Sequence, residues 1–293
     1  MNFLKALRHF SSTWTGTIII VLFFIFFIAQ AFVIPSRSMV GTLYEGDMLL
    51  VKKFSYGIPT PRIPWVDLPV VPDFFNNGHL IEGKHPKRGD IVVFIPPHQQ
   101  KVYFVKRNFA VGGDEVLFTS KGLYLHCFEG NEYMKEHYKG MEMLEFAGKI
   151  FVLNPYMQDH KGISYARENS TFYLMRNLAR NLEKPIFGFD GENPSVGHIS
   201  MQPIDLNGGE AFYKKIPQNE FFMIGDNRDN SDDSRFWGTV PYKNIIGTPW
   251  FIYLSLNLAN SEEVGAQDNV KMRYTIRWDR MFKSIKTLEK GDI

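Results

Sequence analysis

The chain has 293 residues, with 33 Lys+Arg against 31 Asp+Glu and a formal net charge of +2 at pH 7. So small an excess excludes a dedicated nucleic-acid binder, which concentrates basic charge, and 22% charged against 44% hydrophobic residues excludes a largely disordered chain. The single cysteine, Cys127, excludes an internal disulfide framework and any multi-cysteine zinc site.

No Lys, Arg, Asp or Glu stands between Arg8 and Arg37, and Ile18 to Ile28 is an unbroken apolar run. As a helix, Trp14 to Ile34 rises about 32 Å, the thickness of a bilayer's hydrocarbon core. The pattern predicts a single transmembrane anchor over 13–34, with Trp14 at one interface. Lys5 and Arg8 place residues 1–12 in the cytoplasm by the positive-inside bias, a signal that Lys52 and Lys53 weaken. Ala29-Gln30-Ala31 is also the small-x-small ending of a cleavable secretory signal. Apolar character resumes at Phe32, Val33 and Ile34, however, which extends the segment to spanning length.

Beyond the anchor, short β-type runs dominate: Met48–Val51, Ile91–Phe94, Val102–Val105, Glu115–Phe118, Leu123–Leu125, Phe221–Ile224 and Trp250–Leu254. Ile58–Pro72 carries five prolines and Trp65, and reads as an extended apolar loop that packs on the body or meets a membrane surface. Phe172–Lys184 reads as a helix, with Ser170 and Thr171 as N-caps and Pro185 as its stop. Many strands and few helices predict a mainly β fold, a partly closed barrel. The polar stretch from Cys127 to Ile216 reads as an inserted irregular subdomain. The chain then divides into 1–12, the anchor 13–34, a β-rich body in two parts (35–126 and 217–293) and the insertion 127–216.

The eight histidines form no HExxH and no close pair with metal-ligand spacing. No G-x-S-x-G elbow marks a nucleophile. The acidic run Asp226–Asp233 fails as a calcium loop, because Arg228 stands where an oxygen ligand is needed. Arg88-Gly89-Asp90 spells an adhesion tripeptide and equally a tight turn before a strand. Three patches remain: Ile34-Pro35-Ser36-Arg37-Ser38-Met39, Val105-Lys106-Arg107 before Gly112-Gly113-Asp114, and Gly225-Asp226-Asn227-Arg228-Asp229-Asn230-Ser231-Asp232-Asp233-Ser234-Arg235-Phe236-Trp237-Gly238.

In this order, with His85-Pro86-Lys87-Arg88-Gly89-Asp90-Ile91-Val92-Val93 between the first two and Ile276-Arg277-Trp278-Asp279 near the end, the chain closely resembles the bacterial type I signal peptidases. These are leader peptidases of peptidase family S26, which work with a serine–lysine dyad. The resemblance implies Ser38 as nucleophile and Lys106 as general base. It implies an oxyanion hole from the Ser36 hydroxyl and the Ser38 N–H, Ser231 orienting the Lys106 amine, and an Asp233–Arg235 supporting ion pair. Phe32, Ile34, Met39, Leu43, Phe104 and Val105 match the family's substrate cleft, although Phe104 departs from the Tyr of the best-known members. The resemblance further implies a β-rich signal-peptidase-like catalytic body and no metal or cofactor. The partners would be secretory preproteins and the lipid bilayer, with no nucleic acid. The location would be the bacterial inner membrane, single-pass, with the catalytic body on the trans side.

The chemistry sets its own condition. With a reference pKa near 10.4, a lysine is only about 0.4% neutral at pH 8, so a general-base lysine needs a shift of roughly 2–3 units. Burial supplies shifts of that size, and Val102-Tyr103-Phe104-Val105 offers an apolar surround. Strand alternation sends Arg107 to the opposite face from Lys106. The competing readings are a serine–lysine protease of other purpose, such as a self-cleaving repressor, and a membrane-tethered adhesion module using Arg88-Gly89-Asp90. The anchor argues against the repressor.

Overall fold

The computed structural model describes residues 3–63, 69–99, 101–165, 170–180, 199–258 and 274–290. The chain begins with α1 (Phe3–Ser11) and α2 (Trp14–Phe23), the latter capped by Thr13, whose side chain accepts from Gly16 N. One π-helical turn, Phe24–Ile28, follows, and then strand β1 (Ala29–Val33). Among the described residues no helix is long and apolar enough to cross a membrane. The expected helix over 13–34 is therefore corrected: its last part is a strand. β1 pairs antiparallel with β2 (Asp47–Lys52), from Ala29↔Lys52 to Val33↔Met48. The ladder offered by β2 satisfies these backbone groups, and alternate residues Ala29, Ala31 and Val33 share one face; such context overrides local propensity.

The remaining elements are β3 (Gly57–Pro59), β4 (His79–Glu82), β5 (Ile91–Phe94), β6 (Phe104–Val111), β7 (Glu115–Thr119) and β8 (Gly122–His126). Then come α3 (Asn131–His137), β9 (Met143–Phe146), β10 (Lys149–Leu153), α4 (Ser170–Arg180), β11 (Gln202–Leu206) and β12 (Gly209–Lys215). The chain continues through β13 (Glu220–Ile224), α5 (Ser234–Trp237), β14 (Val240–Pro241), β15 (Ile245–Leu258), β16 (Tyr274–Ile276) and α6 (Ile285–Glu289).

Two sheets carry the architecture. The first runs β1-β2-β15-β5-β6-β13-β14, with β16 paired to β15, and the second runs β11-β12-β7-β8-β10-β9. β15 is long enough to pair β5 through Ile245 and Gly247 and β2 through Thr248–Ser255, with register shifts around Trp250 and Tyr253. Such bulges bend a strand, and Pro249 sits beside one, where a missing N–H is tolerated. The stretch 127–216 is more regular than its polarity implies, supplying four of the six strands of the second sheet, with β7 and β8 completing it. α4 begins as expected, whereas 181–184 and Pro185 lie outside the described residues, as does Trp65.

The main core lies between the sheets. Phe109, Ala110, Phe222 and Ile224 from the first meet Val116, Phe118, Leu125, Val152 and Phe212 from the second, closed by Phe172 and Met175 of α4. A second cluster gathers Ile34, Met39, Leu43, Leu49, Val51, Val93 and Ile252 with Ile285 and Leu288 of α6. Near it Asp47, fully buried, accepts from Arg280 (2.6 and 3.2 Å) and from Ser255 Oγ (2.6 Å), while Arg280 also donates to Thr42 O at 2.9 Å. Arg280→Ala strips Asp47 of its closest cation; Arg277 remains 3.7 Å away. We expect a loss near the lower end of the roughly 3–5 kcal/mol for breaking a buried pair, read as a fall in Tm by thermal denaturation.

Candidate active site

Ser38 lies in the loop joining β1 to β2. The loop is closed at its base, where Ile34 N donates to Asp47 O and Gly46 N to Ile34 O, each at 2.9 Å. Met39 anchors it from within: its carbonyl accepts from Thr42 N and Leu43 N (3.0 and 2.8 Å), and its side chain is buried. The third sequence patch grips the same loop, with Asn227 N donating to Ser38 O and Asn227 Nδ2 to Arg37 O, both at 3.1 Å. Gly225 passes so close that a Cβ there would stand 2.2 Å from Ser231 Oγ and 2.5 Å from Ser38 O.

Lys106 sits within β6, flanked by β5 and β13, so both neighbours remove it from water. Its Nζ donates to Ser38 Oγ at 2.5 Å; the two residues are 4% and 8% exposed. Ser36 Oγ is 3.3 Å from Ser38 Oγ. Burial is the largest influence on Lys106 and pushes its pKa down to about 8; Asp233, Asp232 and Asp226 oppose this and Arg235 reinforces it. The Phe104 ring, two residues earlier on the same face, lies 5.4 Å from Nζ.

Arg107 takes the other face and is fully buried. Its Nε and Nη2 donate to the two oxygens of Asp226, each at 2.7 Å, and its Nη1 donates to Gly89 O and Glu289 Oε1, each at 2.6 Å. Asp226 also accepts from Thr42 Oγ1 at 2.6 Å, four residues beyond Ser38. Arg107 and Thr42 hold the Asp226 carboxyl below the usual range against the opposing effect of burial. Sequence reasoning weighed Asp226 only as a failed calcium ligand and missed this link. The available signal was the alternation itself: Arg107 inside a strand paired on both sides must find an anion.

Asp233 caps α5 and binds Arg235 through both oxygens at 2.8 Å, while Gly225 N donates to it at 3.1 Å. The structure therefore joins Asp233 and Arg235 as a fully buried pair. Ser231 Oγ is buried against Gly225 and forms no hydrogen bond of regular geometry, yet lies near enough to Asp233 to help lower its pKa. Of the expected cleft residues, Ile34, Met39 and Leu43 form one apolar cluster with half-buried Phe32 and Val105. Phe104 joins a different one with Phe94 and Trp237. A cavity of about 640 Å³ lies elsewhere, lined by His85, Arg88, Tyr133, Tyr156, His160 and Phe221 among others, and neither Ser38 nor Lys106 lines it. Donor–acceptor geometry, not cavity size, is what joins Ser38 and Lys106.

The adhesion reading fails. Arg88 is engaged by Asp114 (2.6 and 2.7 Å) and Glu129 (2.7 and 2.9 Å), and Asp90 accepts from Lys87 N and Tyr56 Oη. Asp114, Cys127 and Glu129 bring ligand atoms within 4.8 Å of one another. Arg88 already takes both carboxylates, and burial pushes the Cys127 thiol up to about 12, so this cluster is an ion-pair network.

Two outcomes follow from this geometry. Folding depresses the Lys106 pKa from 10.5 to about 8, so the unfolded chain holds more protons between those values and stability rises with pH across that window. Below about 8 the burial penalty is fully felt, on the order of 3 kcal/mol; Lys106→Met should raise Tm at pH 7 and flatten its rise toward pH 10. Gly225→Ala should displace the Ser38 carbonyl or Ser231 and so break the Ser38–Lys106 contact, read in a crystal structure of the variant, while the fold, read by circular dichroism, persists.

The profile of the family described as signal peptidase, peptidase S26, matches residues 7–254. The chain is 63% identical to the signal peptidase I of Helicobacter pylori strain J99 over 99% of its own length and 97% of that protein's. It is 62% identical to the same enzyme of Helicobacter pylori strain 26695, with the same coverage. The signal peptidase I of Buchnera aphidicola subsp. Baizongia pistaciae is 33% identical over 82% of this chain and 74% of that protein. A match across most of the chain means that the chain belongs to the signal peptidase family, peptidase S26, and is one of its serine peptidases.

Proposed function

We propose that the chain removes N-terminal signal peptides from secretory preproteins, cutting after small-x-small sites of the Ala-x-Ala type. Ser38 is the nucleophile and Lys106 the general base. The observation that carries this reading is the 2.5 Å contact between Lys106 Nζ and Ser38 Oγ, made where burial lowers the amine's pKa to about 8.

A serine hydroxyl is a poor nucleophile until a neighbour removes its proton. Neutral Lys106 takes that proton as Oγ attacks the carbonyl carbon of the scissile bond. The negative charge that develops on the carbonyl oxygen is met by the Ser38 N–H and the Ser36 hydroxyl, placed for it in advance. Collapse breaks the C–N bond, and the Lys106 ammonium returns its proton to the departing amine. The signal peptide is left as an ester on Ser38. Lys106 then deprotonates a water, whose oxygen attacks the ester, and the proton passes back to Ser38. Ser231 Oγ makes no hydrogen bond to the amine in the structure, and would orient it only by turning toward it once substrate is bound; the Asp233–Arg235 pair fixes the segment that bears Ser231. The apolar cluster of Ile34, Met39 and Leu43, with Phe32 and Val105, suits small side chains before the cleaved bond; Phe104 walls the opposite flank.

The setting is the bacterial inner membrane, with residues 1–12 in the cytoplasm and the catalytic body on the trans side. α2 exposes Ile18 to Phe23, and Trp14 at its start is 88% exposed, so this surface finds lipid rather than water. Trp14 to Ile28 rises about 22 Å as helix, short of the roughly 30 Å hydrocarbon core, so its apolar surface is proposed as a membrane contact. Phe74 and Phe75, 73% and 69% exposed between β3 and β4, add apolar surface just beyond the Ile58–Pro72 stretch expected to pack on the body or meet a membrane.

The test is cleavage of a preprotein carrying Ala-x-Ala by the full chain in detergent, across roughly pH 6 to 10, a range bracketing the reference and shifted lysine values. Wild type should cut after the second Ala, with kcat/KM rising about tenfold per pH unit up to about 8 and flat above it. Ser38→Ala and Lys106→Ala should each lose about 10⁴-fold or more, the scale on which members of a catalytic unit fail. Retained activity in Lys106→Ala would place the base elsewhere and sink the dyad.

A further inference from the structure

α6 lies far in sequence from both Ser38 and Lys106, yet it ends against Arg107, the residue after Lys106. Ile285 and Leu288 are buried in the cluster that holds Met39, the residue after Ser38. Ser284 caps the helix, its side chain accepting from Thr287 N. The approach is tied to β15, with Phe282 N donating to Ile252 O at 2.7 Å and Ile252 N to Lys283 O at 3.1 Å. Packing and capping therefore fix where Glu289 points.

Its carboxylate accepts from Arg107 Nη1 at 2.6 Å, on the residue that follows Lys106. The remaining guanidinium donors go to Asp226 and Gly89 O, so Glu289 closes the last open side of a buried cation. The same Glu289 oxygen is 3.5 Å from His160 Nδ1. Burial, then Arg107, lower the His160 pKa below its ordinary value, so near neutral pH the ring is uncharged and Arg107 is the cation that Glu289 serves. Lys106 itself faces Asp233, Asp232, Asp226 and Arg235, and Glu289 reaches it through Arg107.

We infer that Glu289 is a positioning residue for the reaction: by holding Arg107 it fixes the Lys106 segment of β6 against Ser38, so the dyad is complete only with α6 docked. This rests on the dyad reading above. A merely structural Glu289 would alter stability and the folded fraction, but not the turnover of each folded molecule or its pH dependence.

The experiment compares wild type, Glu289→Gln and Glu289→Ala as the full chain in detergent, with Ser38→Ala as the inactive control. It measures kcat, KM and the pH profile on the Ala-x-Ala preprotein, well below each variant's Tm, normalised to the folded fraction. Glu289→Ala should lower plateau kcat about tenfold or more, the scale of a sub-ångström to ångström misplacement, with KM little changed. Glu289→Gln, which keeps an acceptor but loses the charge, should fall between. The acid limb should move to lower pH in both, because Arg107's charge, less compensated, disfavours the Lys106 ammonium. Wild-type plateau kcat and an unmoved acid limb in both variants would overturn the inference. Should Glu289→Ala not fold, the same result in Glu289→Gln alone would overturn it. A folded wild type that cuts no such substrate would instead sink the function proposed above.

Discussion

The base role proposed for Lys106 requires it to stay both dry and unpaired, and the surrounding charges are arranged to that effect. Lys106 has three aspartates near enough to raise its pKa, and still its pKa falls to about 8. Asp226 and Asp233 are each held by an arginine. Asp226 is bound through both oxygens by Arg107, and Asp233 through both by Arg235, with all four side chains fully buried. A carboxylate that shares its charge with a guanidinium offers little net field to an ammonium nearby. Desolvation then dominates. The two arginine–aspartate pairs are costly to bury, and their return lies in the protonation state of Lys106 more than in stability.

The same pairs explain the topology around the site. β6 carries Lys106 and Arg107 on opposite faces, and pairing with β5 and β13 on its two sides buries both. Asp226 stands two residues after the end of β13 and touches Thr42 as well as Arg107, so one carboxylate connects the lysine strand, the glycine-flanked third patch and the serine loop. A second close approach locks that loop from the far side: Gly41, at φ +104, runs so near Gly162 that a Cβ would stand 2.1 Å from its carbonyl oxygen. The Ser38 loop is thus held by backbone contact on two sides and apolar side chains beneath, leaving its geometry little freedom.

The strands that bury a full face were legible in the sequence because burial writes a hydrophobic pattern. Ile91–Phe94 and Phe221–Ile224 are nearly completely buried, and both stand where expected. α4 was legible too, with Phe172, Met175 and Leu178 buried at helical spacing. β9 and β11 were not: they are the two edges of the second sheet, largely exposed, and their residues, Met-Leu-Glu-Phe and Gln-Pro-Ile-Asp-Leu, carry little periodic signal. What makes them strands is backbone pairing to β10 and β12, which composition does not record. At the site, Ser38 and Lys106 were reached through family resemblance, and the structure brings them into contact. The partners of Arg107 were invisible, because contacts 119 and 182 residues away leave no local trace.

The N-terminal segment shows how one stretch of apolar sequence serves two solvents. Ile18 to Phe23 leave their side chains exposed on a helix, whereas Ala29 onward gives its backbone to β2. The change falls after Ile28 because a strand needs a partner ladder, and β2 begins to supply one at Lys52, opposite Ala29. β1 is an edge strand of its sheet and runs into Ile34, whose N–H bonds Asp47 O at the neck of the serine loop. No slack chain therefore separates the apolar helix from Ser38: five paired residues and a closed neck fix the distance between them. If lipid holds the helix, Ser38 inherits a fixed height above it, and under the function proposed above a cleavage site must be presented at that height to be cut.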